Sequence, residues 1–252
     1  MGPAADYTPF SLNDDATRGG YARLASLIAM KKESRKGQGP VLVLDAGDYS
    51  MGTAFAAATR EIGGELKLMG RMGYDATTFG NHEFDFGIEV LLKRMAEARW
   101  QWVISNVLDR RTGKPVGGAA PYLVRTFGSL RIGILGLCIT TEGMPGARLA
   151  EFELIDPQQA VATYLPALKS EQVDVVIALT HLTYAEDRAL AERFPEIDLI
   201  VGGHEHFPIA AIVGRTLISK AGSEARSVAR IDLSRRQSGA VERFYELLPV
   251  TS

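Results

Sequence analysis

The sequence predicts an α/β protein with mixed β-sheets flanked by helices, its polar, chemistry-bearing loops gathered at the carboxyl ends of strands. Three observations predict it. Segments with helical spacing alternate with short apolar runs through the first hundred residues. Two of the runs, 41–44 and 173–180, are apolar with almost no alternation, as strands covered on both faces are. Three of the four histidines, His82, His181 and His204, fall just beyond the end of such a run.

Residues 1–18 are polar, carry Pro3, Pro9 and an Asn13-Asp14-Asp15 cluster, and read as irregular. Residues 20–36 read as a helix, because Tyr21, Leu24 and Ile28 recur at helical spacing, Lys31, Lys32, Arg35 and Lys36 suit the negative end of its dipole, and Gly37 stops it. Pro40 leads into the strand 41–44, which ends in Asp45-Ala46-Gly47-Asp48. Residues 53–69 read as mostly helical, weakened by Gly63-Gly64. The strand 75–79 delivers the densest polar loop in the chain, Gly80-Asn81-His82-Glu83-Phe84-Asp85, and Ile88, Leu91 and Met95 give the next helix a buried stripe. Trp102-Val103-Ile104 is a short strand that ends in Ser105-Asn106.

Turn residues and charge mark 109–120 as a connection between two halves. Residues 122–126 and 131–138 then form a hairpin around Phe127-Gly128-Ser129. Asp156-Pro157 starts a helix that runs to about Ser170, with a kink expected at Pro166. The strand 173–180 ends at His181, a helix covers 184–193, and the run 198–203 delivers His204-Glu205-His206. Alternation over 216–220, 227–233 and 242–248 predicts antiparallel strands at the end of the sheet. There is no internal repeat, and one catalytic unit over 1–252 is expected.

At 252 residues and 46% hydrophobic the chain is long enough for one large core. A net charge of −2 supplies no field for nucleic acid or an acidic membrane, and neither is expected as a partner. No apolar stretch approaches the roughly 18 residues of a membrane helix, and the first residues lack the basic and apolar regions of a signal peptide. Cys138, the single cysteine, lies in an apolar run and reads as a buried strand residue.

Imidazoles, a carboxylate (Asp48) and a carboxamide (Asn81), with no thiolate among them, suit Zn²⁺, Mn²⁺ or Fe²⁺. A carboxylate can bridge two such ions, the arrangement used for phosphoryl hydrolysis. Each signal alone has an ordinary explanation: a histidine after a strand is more often a core or surface residue, Asp-Ala-Gly-Asp can be a turn, and Asn81 can be an Asx-turn. Their conjunction favours a metal-dependent hydrolase.

Here the chain resembles the calcineurin-like metallophosphoesterases, in the branch of bacterial 5′-nucleotidases and UDP-sugar hydrolases. The resemblance rests on Leu44-Asp45-Ala46-Gly47-Asp48, Gly80-Asn81-His82-Glu83-Phe84-Asp85, Ser105-Asn106, Thr180-His181-Leu182 and Gly202-Gly203-His204-Glu205-His206, in the family's order. It implies the layered metallophosphoesterase fold, two divalent ions and a small phosphate-ester or nucleotide substrate. By the resemblance, Asp48 bridges the ions, Asn81, His181 and His204 bind one of them, and His206 binds the other. His82 stays off the metals and protonates the leaving group or stabilises the transition state, Asp85 orients it, and Asn106 is a candidate substrate contact. Export, as to a periplasm, is also implied.

Two departures stand out. The family's Asp-x-His motif on the first strand is absent, and residues 5–23, ending in Gly-Gly-x-Ala-Arg, resemble the loop that follows it. Asp14 and Asp15 remain as candidate oxygen ligands, so one well-formed metal site and one impaired site are expected. Loss of that strand would expose sheet edges, from which poor stability or self-association is expected. The domain that stacks the nucleobase in the nucleotidases has no counterpart here, which leaves nucleotide specificity open. The alternatives to a phosphate-ester hydrolase are an impaired metal-binding or interaction domain of the same fold, and a cyclic-nucleotide or sulfur-ester hydrolase.

Overall fold

The structure is a computed structural model that describes residues 18–49, 54–59, 61–140, 150–235 and 241–251. The polar stretch 1–17, with Asp14 and Asp15, lies outside the described residues.

Helix α1 (Tyr21–Ser34) buries Leu24 and Ile28, two of the residues whose spacing predicts it. Strand β1 (Leu44–Asp45) follows, then α2 (Ala54–Thr59) and α3 (Gly64–Met72). The single helix expected over 53–69 is two helices. Gly63 takes a left-handed φ of 59°, which ends one helical path and starts another. Strand β2 (Ala76–Thr77), α4 (Ile88–Glu97) and β3 (Gln101–Trp102) complete the first half. The three strands form a parallel sheet in the order β1-β2-β3. They are shorter than the apolar runs suggest. Among the described residues β1 pairs only with β2, over two residues.

The segment 109–120 is less of a free connection than expected. Strand β4 (Val107–Asp109) pairs with β5 (Lys114–Pro115) and with β8 (Phe152–Leu154) in a small antiparallel sheet. The predicted hairpin is present as β6 (Tyr122–Phe127) and β7 (Leu130–Cys138). Helix α5 (Pro157–Ser170) starts where Asp156 accepts a hydrogen bond from the Gln159 amide, and it continues through Pro166. Strand β9 (Val175–His181), α6 (Tyr184–Arg193), β10 (Leu199–Gly202), β11 (Pro208–Val213) and β12 (Thr216–Ala221) follow. The larger sheet runs β11-β12-β10-β9-β7-β6, parallel through its centre and antiparallel at both edges. A hairpin of β13 (Ser227–Arg235) and β14 (Val241–Pro249) closes the chain.

The central strands are buried on both faces, as their continuous apolar runs predict. Ile132, Ile134, Val175, Ile177, Leu179 and Leu199 belong to a core that also takes in Ala76 and Val103 from the smaller sheet. Their strand neighbours Leu135, Leu137, Val176, Ala178 and Ile200 face a second core with Phe79, Phe84, Leu91 and Leu168. This two-faced burial, with a period of two along each strand, locks the strands so that their carboxyl ends face one another. Among the described residues no helix is long and apolar enough to cross a membrane.

Candidate metal centre

The loops that follow β1 and β2 meet backbone to backbone. A Cβ on Gly47 would stand 2.3 Å from the Gly80 nitrogen, and one on Gly80 would stand 2.0 Å from Asp48 Oδ1. Only glycine permits this approach. The Asp48 carboxylate then accepts from the His82 amide at 2.9 Å. Asp48 itself has a left-handed φ of 56°, an uncommon conformation for a non-glycine residue.

Glu83 holds the same two loops from inside. Its buried carboxylate accepts hydrogen bonds from the backbone amides of Asp48 at 2.8 Å, Gly80 at 2.5 Å and Tyr49 at 3.0 Å. Burial pushes its carboxyl up to about 8, with the Asp48 charge adding to the effect and the amides opposing it.

The other sheet reaches this corner through His181, at the end of β9. Its Nδ1 lies 2.7 Å from the carbonyl oxygen of Ala46. That oxygen can only accept, so Nδ1 carries the proton. Nε2 lies 3.0 Å from Asp48 Oδ2 without the alignment of a hydrogen bond. Two acceptors at that distance need a proton or a cation between them. Burial disfavours the charged imidazole, but the Asp48 carboxylate against it outweighs burial and holds its pKa above the ordinary value. Asp48 is buried too, yet His181 and the His82 amide hold its carboxyl below the usual range.

His204, beyond β10, has a left-handed φ of 75° and sets its ring edge-on to His181, the centroids 5.3 Å apart. Burial, then the neighbouring His181 charge, keeps His204 below the usual imidazole pKa. On the β2 loop, His82 Nδ1 lies 2.7 Å from Asp85 Oδ2, so the expected pairing is formed.

A family model for calcineurin-like phosphoesterases matches residues 16–208. The chain belongs to that family. Among its relatives, a 5′-nucleotidase of Vibrio cholerae is 32% identical over 221 residues, which are 80% of this chain and 38% of that protein. The chain thus spans about two-fifths of that relative's length. A 5′-nucleotidase precursor of Thermus thermophilus, whose structure is solved, is 29% identical with a TM-score of 0.78, over 93% of this chain and 49% of that one. The calcineurin-like phosphoesterase YfkN of Bacillus subtilis, at 21% identity, shares the fold with a TM-score of 0.80 over 97% of this chain.

For a phosphoesterase of this family the donor set is suitable for a divalent ion, and one buried atom argues for it directly. Asn81 is 6% exposed and, among the described residues, its Oδ1 has no hydrogen-bond partner. An orphaned amide oxygen beside an imidazole–carboxylate contact is what a cation would satisfy. His206 is exposed, two residues past His204. Among the described residues no three His, Cys, Asp or Glu side chains close into a preformed cage.

Asn106 is placed differently from the expectation of a substrate contact. Its side chain donates to the carbonyls of Cys138 and Ile155 and accepts from the Cys138 amide, and the residue is fully buried. It ties the residue before β4 to the end of β7 and to the residue after β8.

Residue reading alone singles out neither Glu83 nor the Ala46 carbonyl as parts of the site, and it passes over Lys220 in the strand β12 behind it. Glu83 sat in view within the loop. Lys220 carried a signal as the one charge in β12, an otherwise apolar and hydroxyl-bearing strand.

Proposed function

We propose that this phosphoesterase-family chain is a metal-dependent hydrolase of small, nucleotide-like phosphate monoesters. The observation that carries the proposal is the grouping of Asp48, His181 and His204 against the β2 loop, which carries the orphaned Asn81 oxygen and the His82–Asp85 pair. Asp48, Asn81, His181 and His204 would hold one Mn²⁺, Zn²⁺ or Fe²⁺, and Asp48 with His206 would serve a second. Such ions, when bound, polarise a phosphoryl oxygen and lower the pKa of a water.

The remaining work belongs to the chain. Asp85 accepts from His82 Nδ1, which fixes the ring and leaves Nε2 to face substrate. The side chain of His82 is 26% exposed, open enough to reach one. As an imidazolium its Nε2–H can donate to the leaving oxygen as that atom gathers negative charge. The Ala46 carbonyl fixes the His181 tautomer, so Nε2 presents its lone pair to a cation. Glu83 and the two facing glycines keep Asp48 within reach of both loops.

The test is hydrolysis of AMP and of p-nitrophenyl phosphate by the Mn²⁺-loaded chain. Turnover should vanish on chelation and return with Mn²⁺. His82→Ala should lower kcat by about 10²–10⁴-fold with Mn²⁺ content unchanged. A Mn²⁺-loaded chain that hydrolyses no phosphate ester would sink the proposal.

A further inference from the structure

Lys220 is fully buried on β12, the strand behind the two histidine loops. It stands in register with Gly202 of β10, two residues before His204. Its ammonium lies 2.6 Å from the carbonyl of Leu182, the residue after His181, and 2.9 Å from the carbonyl of Gly203, the residue before His204. It also forms ion pairs with Asp187 of α6, at 2.8 Å, and with Glu205, the residue after His204. The other Glu205 oxygen accepts from the Tyr184 amide at 2.5 Å, so this carboxylate too crosses from one loop to the other.

We propose that Lys220 is a positioning residue whose ammonium, joined by Glu205, ties the loop after β9 to the loop after β10 and so sets the spacing of His181 and His204. The inference rests on the proposed role of those histidines as ligands. Three features point to it. An ammonium withdrawn from water is costly unless fully paired, and this one has four oxygen partners. Two residues back on the same face of β12 the fully buried Ile218 fills the equivalent position, so packing alone would be met by another aliphatic residue. The two carbonyls it binds flank the candidate ligands, one in each loop. An ammonium offers three donors on one atom, so it can hold both carbonyls and a carboxylate at once, which no neutral side chain can do. Lys220 touches no reacting group. It acts on the site as groups behind metal ligands do, by fixing their orientation.

Removing the ammonium strands Asp187 in the interior, so Lys220→Met alone invites misfolding. The decisive variant is Lys220→Met with Asp187→Leu, which removes both buried charges and leaves Glu205, whose side chain reaches solvent. Two quantities are read against wild type: the Mn²⁺ dissociation constant by titration calorimetry, and hydrogen exchange of the metal-free protein at the amides of Tyr184, Gly203 and Glu205. The double variant should bind Mn²⁺ about 10–100-fold more weakly and exchange those amides at least about tenfold faster, while the Ile134 and Ile177 amides stay protected. Glu205→Gln, which keeps the Lys220–Asp187 pair, should shift both readouts in the same direction by less.

A lysine with a merely structural role predicts that the folded double variant binds Mn²⁺ as wild type does. That result, or loop exchange unchanged in both variants, would overturn the inference. Wild type that takes up no Mn²⁺ would instead remove the proposed function, and the inference would fall with it.

Discussion

At Gly80 a single hydrogen decides whether two loops can touch. A Cβ there would meet Asp48 Oδ1 at 2.0 Å and the Asp48 backbone nitrogen at 2.8 Å. Gly80→Ala should displace the Asp48 carboxylate and cut kcat/KM by about 100-fold, the usual cost of an ångström-scale misplacement; an unchanged value would mean the loops have slack. Glu83 tests the same corner from beneath. In Glu83→Gln one oxygen becomes an NH₂, which must face a backbone N–H that it cannot satisfy. Above pH 8, where the carboxylate is ionised, the loss should be about 1–3 kcal/mol in urea unfolding, and a neutral effect there would contradict the three-amide arrangement. Asp48, Asn81, His82, His181 and His204 could be picked out from the sequence because each follows an apolar run and carries a ligand-type side chain. The role of Glu83 could not, because two of its three partners are backbone amides from a loop some 35 residues away, and amides leave no mark in a sequence.

Elements with local signals match their sequence-based boundaries well. Helix α6 has a capping box: Thr183 Oγ1 accepts from the Glu186 amide, and Glu186 accepts from the Thr183 amide. Thr183 also follows directly on His181-Leu182, so the cap fixes the exit of a site loop. Thr183→Ala should cost about 1 kcal/mol, seen as a lower midpoint in thermal unfolding; no shift would mean the cap is replaced by water. Strand β11 went unpredicted for a physical reason. It starts with a proline, is apolar throughout with exposed and half-buried positions alternating, and lies at the sheet edge, where packing writes little into side-chain pattern. The split at Gly63 was visible as a weakness in the helical pattern, but the left-handed turn that makes it a break belongs to the folded backbone.

For the molecule as a whole, the buried charges behind the site should govern part of the pH response. Burial pushes the Asp187 carboxyl up from 3.8 to about 6 against the pull of Lys220. The folded chain therefore holds this proton more tightly than the unfolded one. The contribution is fully present below pH 3.8 and is lost as pH rises through about 6. Between pH 4 and pH 7 wild type should lose stability relative to Asp187→Asn, measured by denaturant unfolding of both proteins at each pH. A difference that stays constant would show that Asp187 titrates normally. The sequence by itself determined the order of the main helices and central strands, the two-faced burial of those strands and the polar loops at their ends, because burial periodicity and turn chemistry are local properties of the chain. Only the tertiary structure decided that the His181 ring meets the carbonyl of Ala46, 135 residues away, that Asn106 braces a strand, and that Lys220 sits beneath the histidine loops. Those contacts depend on sheet order and on the packing of one sheet against the other, and neither is encoded in the spacing of residues along the chain.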